Sequence, residues 1–251
     1  EGSSQMRAIL LSAGQGRRLL PLTERVPKCM LEIHGRSVLE WQLGEFAKCG
    51  IDDVTVAVGF GAEHVEQFLK TQSIIPCVRT AYNPFFCIAD NLVTCWVART
   101  AMDEDFLLIN GDTVFEAQVL ERVLDAPARP VTMVTDQKST YDADDMKLIL
   151  NGDRLVKVGK GISPEQAGGE SIGMLLFRGD GPTLFQEVLE RAVRTPQGLK
   201  QWYLSAIDAM AQSGFVSTCS IQNLQWAEID CSEDIEQAET IVQRFEPVSN
   251  R

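Results

Sequence analysis

The hydrophobic pattern changes character about halfway along the chain. Up to residue 125, short apolar runs alternate with amphipathic segments. Ala8 to Leu11 reads as a buried strand. Leu31 to Ile33 reads as a short one, with His34-Gly35 as a turn. Ser37 is placed to cap a helix running to Cys49, with Leu39, Leu43 and Phe46 on its inner face and Gly50 at its end. A strand over 54–58 precedes a helix over 62–70 that turns Val65, Phe68 and Leu69 inward. Ile74 to Val78 predicts a further strand, and Pro76 within it marks an edge or an irregularity. Asp90 is expected to cap a helix from Asn91 to Met102 bearing the stripe Leu92, Val93, Trp96 and Val97. The run Phe106 to Ile109 is a compact strand ending in Asn110-Gly111-Asp112, and Glu116 to Leu124 is helical. Such alternation implies a parallel sheet covered on both faces.

Beyond residue 130, strands crowd together at 131–135, 146–150, 155–158 and 170–177, with Asn151-Gly152 as a hairpin turn. Pro182 opens a helix to Arg194 that buries Leu184, Phe185, Val188 and Leu189. A helix over 202–212 stops at Gly214, a strand follows over 215–221, and Ser232 begins a terminal helix with Ile235, Ala238, Ile241, Val242 and Phe245 on one face. No linker, repeat or low-complexity stretch divides the chain. The expectation is one α/β domain over 6–251 with a small antiparallel insertion. Residues 1–5 read as a tag remnant, with Met6 as the natural start.

Composition narrows the function classes. A hydrophobic content of 45% over 251 residues suits a globular core. No run of about 18 apolar residues offers a membrane span, and the N-terminus lacks a basic-then-apolar leader pattern. Seven cysteines without C-x-x-C spacing argue against a disulfide scaffold or zinc site and fit a reducing cytoplasm. Cys29 reads as a small buried hydrophobe rather than a reactive thiol. A net charge of −12 argues against a nucleic-acid binder working by bulk charge. His34 and His64 stand at no suggestive spacing from a carboxylate or serine.

The charge is unevenly spread. Residues 1–36 hold six basic side chains against three acidic ones, a net of +3 in a chain of −12. Within them lies Ser12 to Lys28, SAGQGRRLLPLTERVPK, directly after the first apolar run. Glycines at 14 and 16 let backbone N–H groups approach a ligand and form a concave anion site. Arg17, Arg18 and Lys28 add fixed positive charge for phosphate oxygens.

Gly14-Gln15-Gly16-Arg17-Arg18-Leu19-Leu20-Pro21-Leu22-Thr23 followed by Pro27-Lys28 resembles the G-x-G-x-R-L-x-P-x-T-x-x-x-P-K signature of the nucleotidyltransferases that activate sugar phosphates and alcohol phosphates. It differs from a Walker loop, since no G-K-[ST] follows. Gly111-Asp112 and the segment Trp226 to Asp230 are similar to the family's two metal-binding aspartate segments. The resemblance implies a Rossmann-like three-layer α/β/α fold with a mostly parallel mixed sheet. It implies Mg²⁺ held by Asp112 and Asp230, a choice of residues that also suits the one or two carboxylates magnesium takes from a protein. The implied reaction is attack by a phosphate monoester on the α-phosphorus of a nucleoside triphosphate, with release of pyrophosphate. Arg18, with Arg17 beside it, is then expected on the β/γ phosphates, and Lys28 between the α-phosphate and the incoming phosphate. Leu11, Ala13, Gly14, Gln15, Gly16, Arg17, Asn83, Asn91 and Gly111 are expected around the nucleotide.

For the acceptor, the acidic stretch 136–147 with Asp142 and Asp145, then Glu170 and the pair Trp202-Tyr203, suggests a cationic head group, because acids and aromatic faces together bind quaternary ammonium. Asp90 to Trp96 and Glu170 to Gly173 resemble segments of the bacterial CTP:phosphocholine cytidylyltransferases. That resemblance implies CTP and phosphocholine or an aminoalkylphosphonate as substrates. Lys160 is a further candidate for the acceptor phosphate. Sugar-1-phosphate uridylyl-, guanylyl- and thymidylyltransferases are the alternative within the class. A silent nucleotide-binding regulatory domain would be marked by loss of Arg18, Lys28, Asp112 or Asp230, all of which are present. A dinucleotide oxidoreductase would need an acid at the end of the second strand, where Val58-Gly59-Phe60 offers none.

Overall fold

The computed structural model describes residues 6–245. The reading of residues 1–5 as a tag remnant lies outside the described residues, as do residues 246–251 of the expected domain. Strand β1 (Arg7–Ser12) leads to a small hairpin, β2 (Glu32–Ile33) and β3 (Arg36–Ser37), and then to α1 (Val38–Lys48). There follow β4 (Asp53–Val58), α2 (Ala62–Thr71), β5 (Cys77–Tyr82), α3 (Asn91–Val97), β6 (Phe106–Asn110), β7 (Thr113–Phe115) and α4 (Ala117–Leu124). The second half holds β8 (Val131–Asp136), β9 (Lys147–Asn151), β10 (Arg154–Gly159), β11 (Gly169–Phe177), α5 (Gly181–Val193) and α6 (Tyr203–Gln212). It closes with β12 (Val216–Ser220), β13 (Trp226–Glu228) and α7 (Ser232–Val242).

Nine strands form one sheet in the order β5-β4-β1-β6-β11-β8-β12-β10-β9. Strands β5, β4, β1 and β6 are parallel. β11 runs antiparallel between β6 and β8, β12 is parallel to β8, and β10 opposes both β12 and β9. The sheet is therefore mixed, with β11 and β10 running against the other strands. The β9–β10 hairpin is the antiparallel addition, and β9 also bonds to the start of β11.

Both faces of the sheet are covered, which is why its inner strands read as continuous apolar runs rather than alternating ones. Along β1 and β6, Ile9 and Leu108 enter the layer with α3, α5 and α6, while Leu10 and Ile109 enter the layer with α1, α2 and α4. A third cluster seats α7 against the β2–β3 hairpin and Trp41 of α1.

Three expectations are corrected. The strand near Pro76 begins just after it and extends to Tyr82, and the proline, lacking an N–H, sits where the edge strand β5 starts. The helix after Asp90 is α-helical only to Val97 and continues as a 3₁₀ turn over Ala98–Ala101. The Asp90 side chain makes no capping bond; its backbone N–H donates instead to the Leu199 carbonyl at 2.8 Å. Strand β7 had no apolar run long enough to announce it.

Phe177 is stacked on Phe106 at 4.5 Å between ring centroids and lies 4.6 Å from Phe185, fully buried at the centre of the α5 layer. Phe177→Ala should lower the unfolding free energy by about 3–5 kcal/mol, read from urea denaturation.

Candidate active site

The chain runs from β1 outward through β4 and β5, then returns to place β6 on the other side of β1. Open α/β sheets bind ligands at such a reversal, beyond the carboxyl ends of the strands. A cavity of about 710 Å³ lies there. It is lined by Leu11, Ala13, Gly14, Gln15 and Arg17 from β1 and the loop after it, and by Asn91, Asn110 and Asp112. Phe60, Phe86 and Ile88 supply an apolar rim that the sequence did not reveal, because they lie in loops without periodicity.

The loop after β1 is held by its threonine. Thr23, fully buried, donates from Oγ1 to the Gly16 carbonyl at 2.8 Å, and its own carbonyl accepts from Gln15 Nε2 at 3.2 Å. Gly16 has φ 75°, and a Cβ there would stand 3.1 Å from the aliphatic chain of Lys28. The absent side chain leaves the Lys28 stem room close against the loop. Gly14 faces open space. Arg17 and Arg18, neighbours in a 3₁₀ turn, point apart. Arg17 lines the large cavity, while Arg18 reaches Asp230 at 2.8 Å and Asp144 at 3.8 Å.

Two nucleotide expectations change in kind. Asn83 is fully buried; its amide donates to Thr94 Oγ1 at 3.1 Å and accepts from the Phe85 N–H at 2.9 Å, so it shapes the loop at Phe86 rather than lining the cavity. Gly111 is packed under the end of β1, where a Cβ would stand 2.7 Å from the Leu11 carbonyl oxygen. Asn91 lines the cavity, and its side chain also accepts from the Tyr203 N–H at 2.9 Å.

The acidic group is built by a two-stranded ribbon. β7 pairs antiparallel with β13, Thr113 opposite Glu228, and the Ile229 N–H donates to the Asp112 carbonyl at 3.0 Å. Asp112 thus lies across from the segment carrying Glu228 and Asp230, which share a face because alternate residues of an extended chain do. One ligand oxygen from each of the three lies within 4.8 Å of the others. Lys28 Nζ stands between Asp112 and Asp230, at 2.6 Å from each. Burial alone would lower the Lys28 ammonium, but the two carboxylates outweigh it and hold it above the usual lysine range. Asp230 is itself held below its ordinary value, the pull of Lys28 and Arg18 exceeding the effect of burial. Glu228 keeps open surface toward the cleft yet is closely surrounded by protein. Burial, reinforced by Asp112 and Asp230, pushes it up to about 8. The sequence named the Trp226–Asp230 segment but passed over Glu228, whose signal was its position two residues before Asp230.

The residues fit a hard divalent cation. All three donors are carboxylates. Asp112 Oδ1 is buried with no hydrogen-bond partner among the described residues, an orphan that a cation would satisfy.

A smaller cavity of about 220 Å³ adjoins this group, lined by Arg18, Asp144, Lys160, Trp202, Glu228 and Asp230 among others. Trp202, 45% exposed, borders both cavities. The Lys160 ammonium lies 5.0 Å from the Trp202 ring centroid and 3.4 Å from Asp144. Tyr203 lines the same cavity but is fully buried, its hydroxyl donating to Asn110 Oδ1 at 3.1 Å. Asp142, Asp145 and Glu170 are not among these residues. They line an adjoining acidic cleft, and Lys138 occupies both Asp145 (2.8 Å) and Glu170 (3.1 Å). Asp144, between Asp142 and Asp145 in the sequence, is the acid of that loop that reaches the small cavity.

Residues 8–142 match the family model of the MobA-like NTP transferase domain. The chain is 29% identical, over 96% of its length, to the CMP-5'-(3-aminopropyl)phosphonate synthase of Streptomyces rubellomurinus, and spans 39% of that relative's length. Among solved structures it is similar to the inositol-1-phosphate CTP transferase from T. maritima, with a TM-score of 0.81, 20% identity and 97% of both chains covered. It is also similar to the CTP:phosphocholine cytidylyltransferase from Streptococcus pneumoniae, with a TM-score of 0.78, 17% identity, and 95% of this chain and 99% of that one covered. At these identities the structural likeness shows the fold.

Since Gly111 is pressed against main chain, Gly111→Ala must shift β6 or β1. It should cost about 1–3 kcal/mol of stability in thermal or urea unfolding.

Proposed function

The chain belongs to the MobA-like NTP transferase domain family, and from that premise we propose that it transfers CMP from CTP to a phosphate or phosphonate monoester with a cationic head group, such as phosphocholine or an aminoalkylphosphonate. The observation that carries the acceptor is the small cavity beside the three carboxylates, where the Trp202 face and Asp144 already hold an ammonium, that of Lys160. Aromatic faces attract cations by their quadrupole, and a carboxylate beside one adds charge. The name of the Streptomyces relative, an aminopropylphosphonate activator, supports the same class.

In this reading the nucleotide lies in the large cavity, with its phosphates against the backbone of residues 13–16 and Arg17. A phosphoryl oxygen of the acceptor attacks the α-phosphorus, that new P–O bond replaces the bond to the β-phosphate, and pyrophosphate leaves. Little covalent work falls on the protein, so position and charge decide the rate. Lys28 supplies positive charge next to the carboxylates, Arg18 flanks Asp230, and Lys160 is free to serve the acceptor's phosphoryl group when a cationic head takes the Trp202 face. Asp112, Asp230 and Glu228 are proposed to hold Mg²⁺, which when bound neutralises phosphate charge and withdraws electrons from phosphorus. The acceptor part is assigned to about residues 131–215, with Asp144 in place of Asp142, Asp145 and Glu170, and with Glu228 added from β13. Seven unpaired cysteines agree with a reducing cytoplasm, and no helix among the described residues is long and apolar enough to cross a membrane.

Pyrophosphate release with Mg²⁺ tests the proposal, across the five common nucleoside triphosphates paired with phosphocholine, phosphoethanolamine, 2-aminoethylphosphonate and several sugar 1-phosphates. Turnover confined to CTP with amino acceptors is the expected result. Trp202→Ala should then raise KM for the cationic acceptor about tenfold, with less change in KM for CTP. Turnover with sugar phosphates alone would overturn the acceptor assignment and leave the carboxylates and loop in place.

The exposed thiol of Cys87 borders the large cavity, whereas exposed Cys77 lies on the edge strand. CTP should slow alkylation of Cys87 and leave Cys77 unchanged, as read by peptide mass spectrometry. Cys29, buried and pushed up to about 12 by desolvation, should stay unmodified in the folded protein.

A further inference from the structure

Asp112 lies in a bend, Asn110-Gly111-Asp112-Thr113, between β6 and β7. A carboxylate on a bend keeps its aim only if the backbone on either side is held. Gln42, on the buried face of α1, holds both sides. Its Nε2 donates to the Asn110 carbonyl at 2.8 Å and to the Thr113 carbonyl at 2.9 Å. Both N–H donors of the amide are spent, one on each flank of Asp112.

Packing does not account for this residue. Gln42 is 1% exposed, beside Leu39, Leu43 and Phe46; the other buried polar side chain of the helix, Glu45, is paired with Lys48. Its Oε1 has no partner among the described residues, which is a cost that an apolar side chain would avoid. The remaining ties on the bend come from other directions. The Gly111 N–H donates to the Leu11 carbonyl at 3.0 Å, the Ile229 N–H to the Asp112 carbonyl at 3.0 Å, Thr113 Oγ1 to the Ile172 carbonyl at 3.3 Å, and Tyr203 Oη to Asn110 Oδ1 at 3.1 Å. Each fastens one residue, whereas Gln42 spans the bend. Its helix follows the turn Lys28–Met30 by way of β2 and β3, and packs against that turn. One side chain therefore ties the Lys28 side of the cleft to the Asp112 side.

We propose that Gln42 is a positioning residue that aims the Asp112 carboxylate for cation binding. The inference rests on the reading of Asp112, Glu228 and Asp230 as the cation-holding group. A residue acting behind a metal ligand in this way governs affinity for the ion more than affinity for the organic substrates.

The test uses Gln42→Met, which keeps the length and removes both donors, with Phe46→Leu on the same helix as a control for general loosening. Enzyme-bound Mn²⁺ is followed by electron paramagnetic resonance in the presence of α,β-methylene-CTP, so that no turnover is needed. Gln42→Met should weaken Mn²⁺ binding about 10-fold or more, with Phe46→Leu close to wild type. Its turnover should recover at high Mg²⁺ while KM for CTP at saturating metal stays near wild type. If Gln42→Met does not fold, Gln42→Glu replaces the double donor at the same shape, and the same weakening is expected. Equal Mn²⁺ affinity in the Gln42 variant and wild type would overturn the inference and leave the metal reading intact. Equal weakening in Phe46→Leu would overturn it as well. Absence of bound Mn²⁺ in the wild type would overturn the metal reading, and the inference with it.

Discussion

Three carboxylates with ligand atoms within 4.8 Å of one another cannot all stay charged unless a cation stands among them. That constraint organises the cleft. Lys28 meets it from one side, bonded to Asp112 and Asp230, and Arg18 meets it from the other. Glu228, which neither cation bonds directly, is pushed up to about 8 by its burial, with the repulsion of Asp112 and Asp230 added. The glycine loop follows from the same demand. The Lys28 stem passes close to Gly16, where a Cβ would press on it at 3.1 Å, and Thr23 holds the loop in that shape. The glycine loop and the three-carboxylate group are thus joined through one lysine.

The partners come from distant parts of the chain. Lys28 lies 84 residues before Asp112 and 202 before Asp230. Two devices bring them together. The parallel order β4-β1-β6 sets the loop after β1 beside the bend after β6. The β7–β13 ribbon, outside the main sheet, carries the late segment back to that bend. The ribbon is only three residues long on each strand, so its register depends on what surrounds it. Val114 and Ala227 face the cluster with α7, and Trp226 donates from Nε1 to Asp136 at 2.7 Å. A one-residue slip would turn Glu228 and Asp230 away from Asp112.

Much of this was legible in the sequence for a physical reason. Strands buried on both faces are continuous apolar runs, so β1, β4, β6 and β8 declared themselves, and the glycine, proline and lysine spacing of the first loop reports backbone needs that few other residues meet. What escaped was whatever depends on through-space pairing. β7 is too short to carry a period, and it exists because β13 pairs with it. Glu228 looked like an ordinary strand acid. Asp144 could not be told from Asp142 and Asp145 by composition, since what separates them is that Lys138 occupies Asp145 while Arg18 and Lys160 draw Asp144 to the small cavity. Gln42 carries no signal in the helix pattern, because its two acceptors lie 68 and 71 residues away. Arg17 and Arg18 were adjacent in a charged run, and only the 3₁₀ turn sends one to each cavity.

The distribution of charge bears on selectivity as well as on catalysis. A chain of net charge −12 repels polyanions at long range. In the proposed reading, a nucleoside triphosphate is drawn in where Arg17, Arg18, Lys28 and Lys160 locally reverse the sign, and a divalent cation on the phosphates would reduce the repulsion further. The acceptor side differs. There Asp144, Glu228 and the Trp202 face surround a cavity of about 220 Å³, in which Lys160 offers the ammonium. An acceptor carrying its own cation replaces one ammonium by another on the aromatic face and releases Lys160 toward its phosphoryl group. A neutral sugar must leave Lys160 where it is, or strip Asp144 of its partner without replacing the charge. In the proposed reading, Asp144 and Glu228, with the Trp202 face, therefore bias the small cavity toward acceptors that bring a cation.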